Sequence, residues 1–86
     1  MENMTTDYQG FKRDTDLAVE KIRTGAMTMA QGAVELGYQL KVARDTGVLQ
    51  ESGYSSMGEF ARAEYGLRPD QTTRYIQLND KYSEDG

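Results

Sequence analysis

Apolar side chains in this chain return every third or fourth position in each stretch long enough to show a period, and that spacing predicts helices throughout. Tyr8, Phe11, Thr15, Ala18 and Ile22 form the first row from about Thr6 onward, with Leu17 and Val19 widening it and Lys, Arg and Asp outside it. Thr24-Gly25 ends this helix. Thr28-Met29-Ala30-Gln31 has the form of a capping box opening a second helix, whose row is Met29, Ala33, Leu36, Leu40 and Ala43. Val34, Tyr38 and Val42 lie around the cylinder from that row, so the second helix is expected to be central and to touch neighbours on more than one side. Gly32 and Gly37 stand inside it. Each costs about 1 kcal/mol relative to Ala in a helix interior, which predicts a compensating close approach of another helix, in this chain or in a second copy.

The segment DTGVLQESGYS, Asp45 to Ser55, carries Gly47 and Gly53 but also Val48, Leu49 and Tyr54. It is expected to fold onto the core as a turn or short helical piece, making residues 1–86 one domain. Met1 to Thr5 and Ser83 to Gly86 lack periodicity and are expected to fray.

From Ser56 to Lys81 the pattern is that of two short helices and a tight turn, a helix-turn-helix. Ser56 suits the first cap, Met57, Phe60, Ala61 and Tyr65 give an apolar face, and Gly66 supplies a left-handed stop. Leu67 plugs the turn. Pro69 fits the first position of the last helix with Asp70 favoured beside it by the helix dipole, and Thr72, Tyr75, Ile76 and Asn79 form its inner side. The outward set is then Arg68, Gln71, Thr73, Arg74, Gln77 and Lys81. Guanidinium groups match the acceptors of guanine and carboxamides the donor and acceptor of adenine, each good pair giving roughly 1–3 kcal/mol of discrimination. Arg74 and Gln71 are the expected base contacts, with Arg68, Lys81, Arg62 and Thr73 on phosphates. The competing reading of the same residues is an ordinary solvated helix face.

Charge opposes nucleic acid. The chain has 10 Lys and Arg against 14 Asp and Glu, a net charge of −4, and the half after Asp45 is the more acidic one. Monomer affinity for duplex DNA should be weak and salt-sensitive, with a homodimer or a further domain needed for strong binding. With 86 residues, 37% of them hydrophobic, only one small core can form, and neither Cys nor His is present. Thiolate or imidazole metal sites, cysteine nucleophiles and Ser-His triads are excluded within the chain. No enzyme activity, catalytic residue, cofactor or metal is expected. Absence of Cys is consistent with a reducing cytoplasm, and no apolar run approaches the roughly 20 residues that span a bilayer, so neither membrane nor signal peptide is expected.

The stretch from Leu36 to Asp80 resembles a recurrent helical module in proteins of plasmids, phages and integrative conjugative elements of Firmicutes. The residues that carry the likeness are a long helix ending near Arg44, Gly53-Tyr54-Ser55, Phe60, Tyr65-Gly66-Leu67 and Arg74-Tyr75-Ile76. The resemblance implies an all-α domain of four or five helices with a C-terminal helix-turn-helix that binds double-stranded DNA for partition, replication or regulation. That module often has Ser or Thr before its last helix. Here Arg68-Pro69-Asp70 stands there, and the added carboxylate is expected to oppose phosphate. A second expectation is a small acidic mobile-element protein that inhibits a nucleic-acid-processing enzyme, in the manner of anti-CRISPR proteins. Its phosphate-like surface would be formed by Asp7, Asp14, Asp16, Glu59, Glu64, Asp70 and Asp80.

Overall fold

In the computed structural model, which describes residues 8–83, the elements are α1 (Tyr8–Arg23), α2 (Met29–Asp45), a 3-10 turn (Val48–Glu51), α3 (Met57–Tyr65) and α4 (Pro69–Ser83). The described residues contain no strand. The starts of α2 and α3 and the end of α3 fall at caps legible in the local sequence. Thr28 and Gln31 close both halves of the capping box at the start of α2, at 3.1 and 2.9 Å. Gly25 follows α1 with a φ of 78°, in the left-handed region that favours glycine. The expected helix start at Thr6 and the expected fraying of residues 1–5 and 84–86 lie outside the described residues, whereas Ser83, also expected to fray, is helical. At the other end α4 runs to Ser83, two residues past the expected stop at Lys81. No Gly or Pro intervenes before Gly86 to end it.

All four helices and the 3-10 turn contribute to one apolar core. Phe11, Ala18 and Val19 come from α1, Leu36, Leu40 and Ala43 from α2, Val48 and Leu49 from the turn, Phe60, Ala61 and Tyr65 from α3, and Ile76 from α4. Phe60 is fully buried, with ring centroids of Phe11, Tyr54 and Tyr65 at 5.4, 5.7 and 5.6 Å. Such pairs contribute about 0.5–1.5 kcal/mol each beyond the burial itself.

Both interior glycines of α2 mark close approaches within the chain. A Cβ on Gly37 would lie 2.6 Å from the Tyr75 carbonyl oxygen and 2.7 Å from Asn79 Cβ. One on Gly32 would lie 2.8 Å from the Ile22 side chain. Gly37 thus lets α4 lie directly on the backbone of α2, its most extensive helix contact. Buried Asn79 locks that contact by donating from Nδ2 to Ala33 O and Val34 O at 3.2 and 2.9 Å.

α2 is central, since it meets α1, α3, α4 and the 3-10 turn, but its expected second apolar face is only partly covered. Val42 is half-buried, whereas Val34 and Tyr38 remain 38% and 57% exposed. Leu17 and Met29, both placed in inward rows by their spacing, are also exposed. The neighbours of α2 cover its other sides, and no described element crosses the Val34–Tyr38 edge. No helix among the described residues is long and apolar enough to cross a membrane.

Candidate nucleic-acid interface

The path from α3 into α4 is fixed by local hydrogen bonds. Ser56 Oγ accepts from Glu59 N at 3.1 Å, and the Glu59 carboxylate accepts from both the Ser55 backbone N–H and its hydroxyl. Those donors hold the Glu59 carboxyl below its ordinary range. At the other end Gly66 adopts a φ of 70°, and the amides of Gly66 and Leu67 bond back to Arg62 O and Ala61 O. Three residues, 66–68, separate the helices. Pro69 occupies the first position of α4, where the missing N–H is no loss.

Gln71 has a different role from the expected base contact. Its side chain is half-buried, and Oε1 accepts from the Arg68 backbone N–H at 2.9 Å, closing the first turn of α4. A carboxamide oxygen engaged there is not available to an adenine edge. Arg68 is exposed, and its Nε and Nη2 donate to the two Asp70 oxygens at 3.1 and 3.3 Å. The pairing raises the Arg68 guanidinium and lowers the Asp70 carboxyl from their ordinary values. Asp70 therefore faces a cation of its own chain, which offsets the repulsion of phosphate expected from its position.

Thr73, Arg74, Gln77 and Lys81 are exposed along α4, while Thr72, Ile76 and Asn79 are buried and Tyr75 half-buried. The inner and outer sides read from spacing are thus in place. Asp80 also lies outward, paired with Lys41 of α2. Arg74 and Lys81 form no ion pair with another described residue; Lys81 Nζ lies 5.7 Å from the Tyr82 ring centroid. Arg62 is exposed on α3 and, with Ser56, Glu59 and Pro69, lines a concavity where the starts of α3 and α4 meet. Glu59 brings a negative charge into that concavity.

Two cations missed by sequence reasoning hold this unit in place. Arg23, at the end of α1, donates from Nη2 to Tyr65 O at 2.8 Å, satisfying a carbonyl at the end of α3. Lys41 balances Asp80. Both pairings join separate helices, so no local spacing could signal them. Tyr65 ties the same region to α1 by donating to Asp16 Oδ1 at 2.5 Å, and burial, then that carboxylate, pushes its hydroxyl pKa far up.

Across the described residues the charges balance. All ten Lys and Arg lie within 8–83, together with ten of the 14 acids; the other four are Glu2, Asp7, Glu84 and Asp85. Asp16 and Glu64 share Lys12, Asp70 holds Arg68, and Asp80 holds Lys41. Of the carboxylates proposed as a phosphate-like surface, four are thus paired with three cations, Asp14 and Glu59 have no cation partner among the described residues, and Asp7 lies outside them. No group of three His, Cys, Asp or Glu residues is placed to hold a metal among the described residues. No family model, curated protein or solved structure matches the chain.

Proposed function

We propose that α3 and α4 act as a helix-turn-helix that binds duplex DNA, with α4 entering the major groove on behalf of a mobile genetic element. One observation carries the reading: both described acids of α4, Asp70 and Asp80, are paired with Arg68 and Lys41, leaving Arg74 and Lys81 on its outer side with no ion-pair partner among the described residues. A chain with net charge −4 thus presents a locally cationic rod bearing Thr73 and Gln77. Arg74 and Gln77 are the base-reading side chains, and Lys81, Arg62 and Thr73 hold phosphates. Gln71 caps the helix. Arg68 can exchange Asp70 for a phosphate at little cost, since the pair is exposed and water screens it. The mobile-element setting rests on the resemblance of residues 36–80 alone. An enzyme inhibitor mimicking phosphate has less support, because most of the acids it needs are paired.

Titration of labelled duplex by fluorescence anisotropy at several salt concentrations tests the reading. With two or three phosphate contacts, log K should fall against log salt with a slope of about −2 to −3. Arg74→Ala should flatten preference among sequences, and Lys81→Ala should weaken all duplexes alike while reducing the slope by about 1. A folded protein that leaves duplex DNA unbound at low salt ends the proposal.

A further inference from the structure

Between α1 and α2, away from Arg74 and Gln77, runs a trough of about 440 Å³. Leu17 and Ala18 line one side and Val34, Tyr38 and Gln39 the other, and Asn79 of α4 also lines it. Leu17, Val34 and Tyr38 are 50%, 38% and 57% exposed, so three large apolar side chains share one patch of surface instead of standing singly. Each wall also carries an acid, Asp14 on α1 and Glu35 on α2. No Lys or Arg lines the trough, and neither acid forms an ion pair with another described residue.

We infer that this trough docks a short amphipathic helix of a partner protein, with aliphatic anchors one turn apart and Lys or Arg beside them. The spacing follows from the walls: Val34 and Tyr38 stand four residues apart, about 6 Å along α2, the separation of successive anchors on a docked helix. The sign of the flanking charge follows from Asp14 and Glu35. The same acids disfavour a second copy of this chain, whose symmetric approach would set carboxylates against carboxylates, and they repel anionic lipid. Because α4's outer residues do not line the trough, partner and DNA can be held together, and the inference stands without the DNA reading.

The test uses the whole chain, isotope-labelled for NMR, titrated with a blocked amphipathic peptide of Leu and Lys. Saturable shifts should centre on the amides of Leu17, Val34 and Tyr38 and spare Arg74 and Gln77. L17S/Y38S should weaken binding roughly tenfold, as loss of central apolar anchors does. D14N/E35Q replaces exposed acids that form no ion pair with another described residue, and should weaken binding several-fold and flatten its salt dependence, a result readable even if L17S/Y38S misfolds. The inference is overturned if a Leu and Glu peptide binds as well, if the shifts fall elsewhere, or if sedimentation shows a dimer that D14N/E35Q tightens.

Discussion

The two helices of the C-terminal pair are attached to the N-terminal pair by different chemistry. α4 lies on α2 through main chain and a buried amide: Gly37 against Tyr75 O, and Asn79 against the carbonyls of Ala33 and Val34. α3 meets α1 through the buried Phe11–Phe60 ring pair and, around it, through polar tips, with Tyr65 on Asp16, Lys12 between Asp16 and Glu64, and Arg23 on Tyr65 O. The first attachment rests on steric fit and a neutral buried amide, with the Lys41–Asp80 ion pair only at its exposed edge. The second carries charges that titrate. The angle of α4, the helix proposed to read DNA, is therefore set mainly by the front of the chain, and α3 can loosen without releasing it.

Gly37→Ala should break the comparison most severely. Its Cβ meets a backbone oxygen that cannot rotate aside, so α4 must move, and we expect a loss of about 3 kcal/mol by denaturant unfolding. Retention of wild-type stability would show that the α2–α4 seam is looser than its geometry.

Acid should act next, and first where α1 meets α3. Burial works to raise Asp16, but the Lys12 ammonium and Tyr65 hydroxyl outweigh it and its carboxyl lies below the ordinary 3.8. Glu64 lies below 4.5, chiefly through the Tyr54 hydroxyl that donates to it, with Lys12 adding to that effect. A carboxyl lowered by folding adds stability that is complete above its unfolded value and is lost as pH falls through the folded one. Lys12 is raised above 10.5, first by its bond to Asp16, so its share is complete below 10.5 and fades as pH rises through its folded value. Hydrogen exchange should therefore quicken in α1 and α3 below the carboxyl range before α2 and α4 respond. Asp16→Asn should blunt that response, and a uniform acid transition across all helices would contradict the division.

Gly66→Ala gives the smallest effect. The new Cβ would meet nothing within 4 Å, so only the left-handed φ of 70° opposes it, at about 1 kcal/mol. The same exchange at two glycines thus separates steric from conformational cost, and equal losses at both sites would erase the distinction.

Caps and turns were legible from the chain because each is a short-range bond: Thr28 with Gln31, Ser56 with Glu59, Gly66 with the carbonyls behind it. The division of α4 into inner and outer sides was legible too, since helical period alone fixes it. Spacing cannot tell which apolar faces find a neighbour, so it places Leu17, Met29, Val34 and Tyr38 inward, where the structure leaves them exposed. The retention of Gln71 by the Arg68 amide was open to a closer look at its third-position spacing from the cap. Lys41 with Asp80 and Arg23 with Tyr65 depend on how whole helices are set beside one another, and nothing within a single helix encodes that.

The equal division of charge within residues 8–83 bears on handling. A version trimmed to those residues would sit close to its isoelectric point at neutral pH and barely migrate in a native gel. Colloidal repulsion in the whole chain comes from Glu2, Asp7, Glu84 and Asp85, so removing them should bring the solubility minimum up to physiological pH.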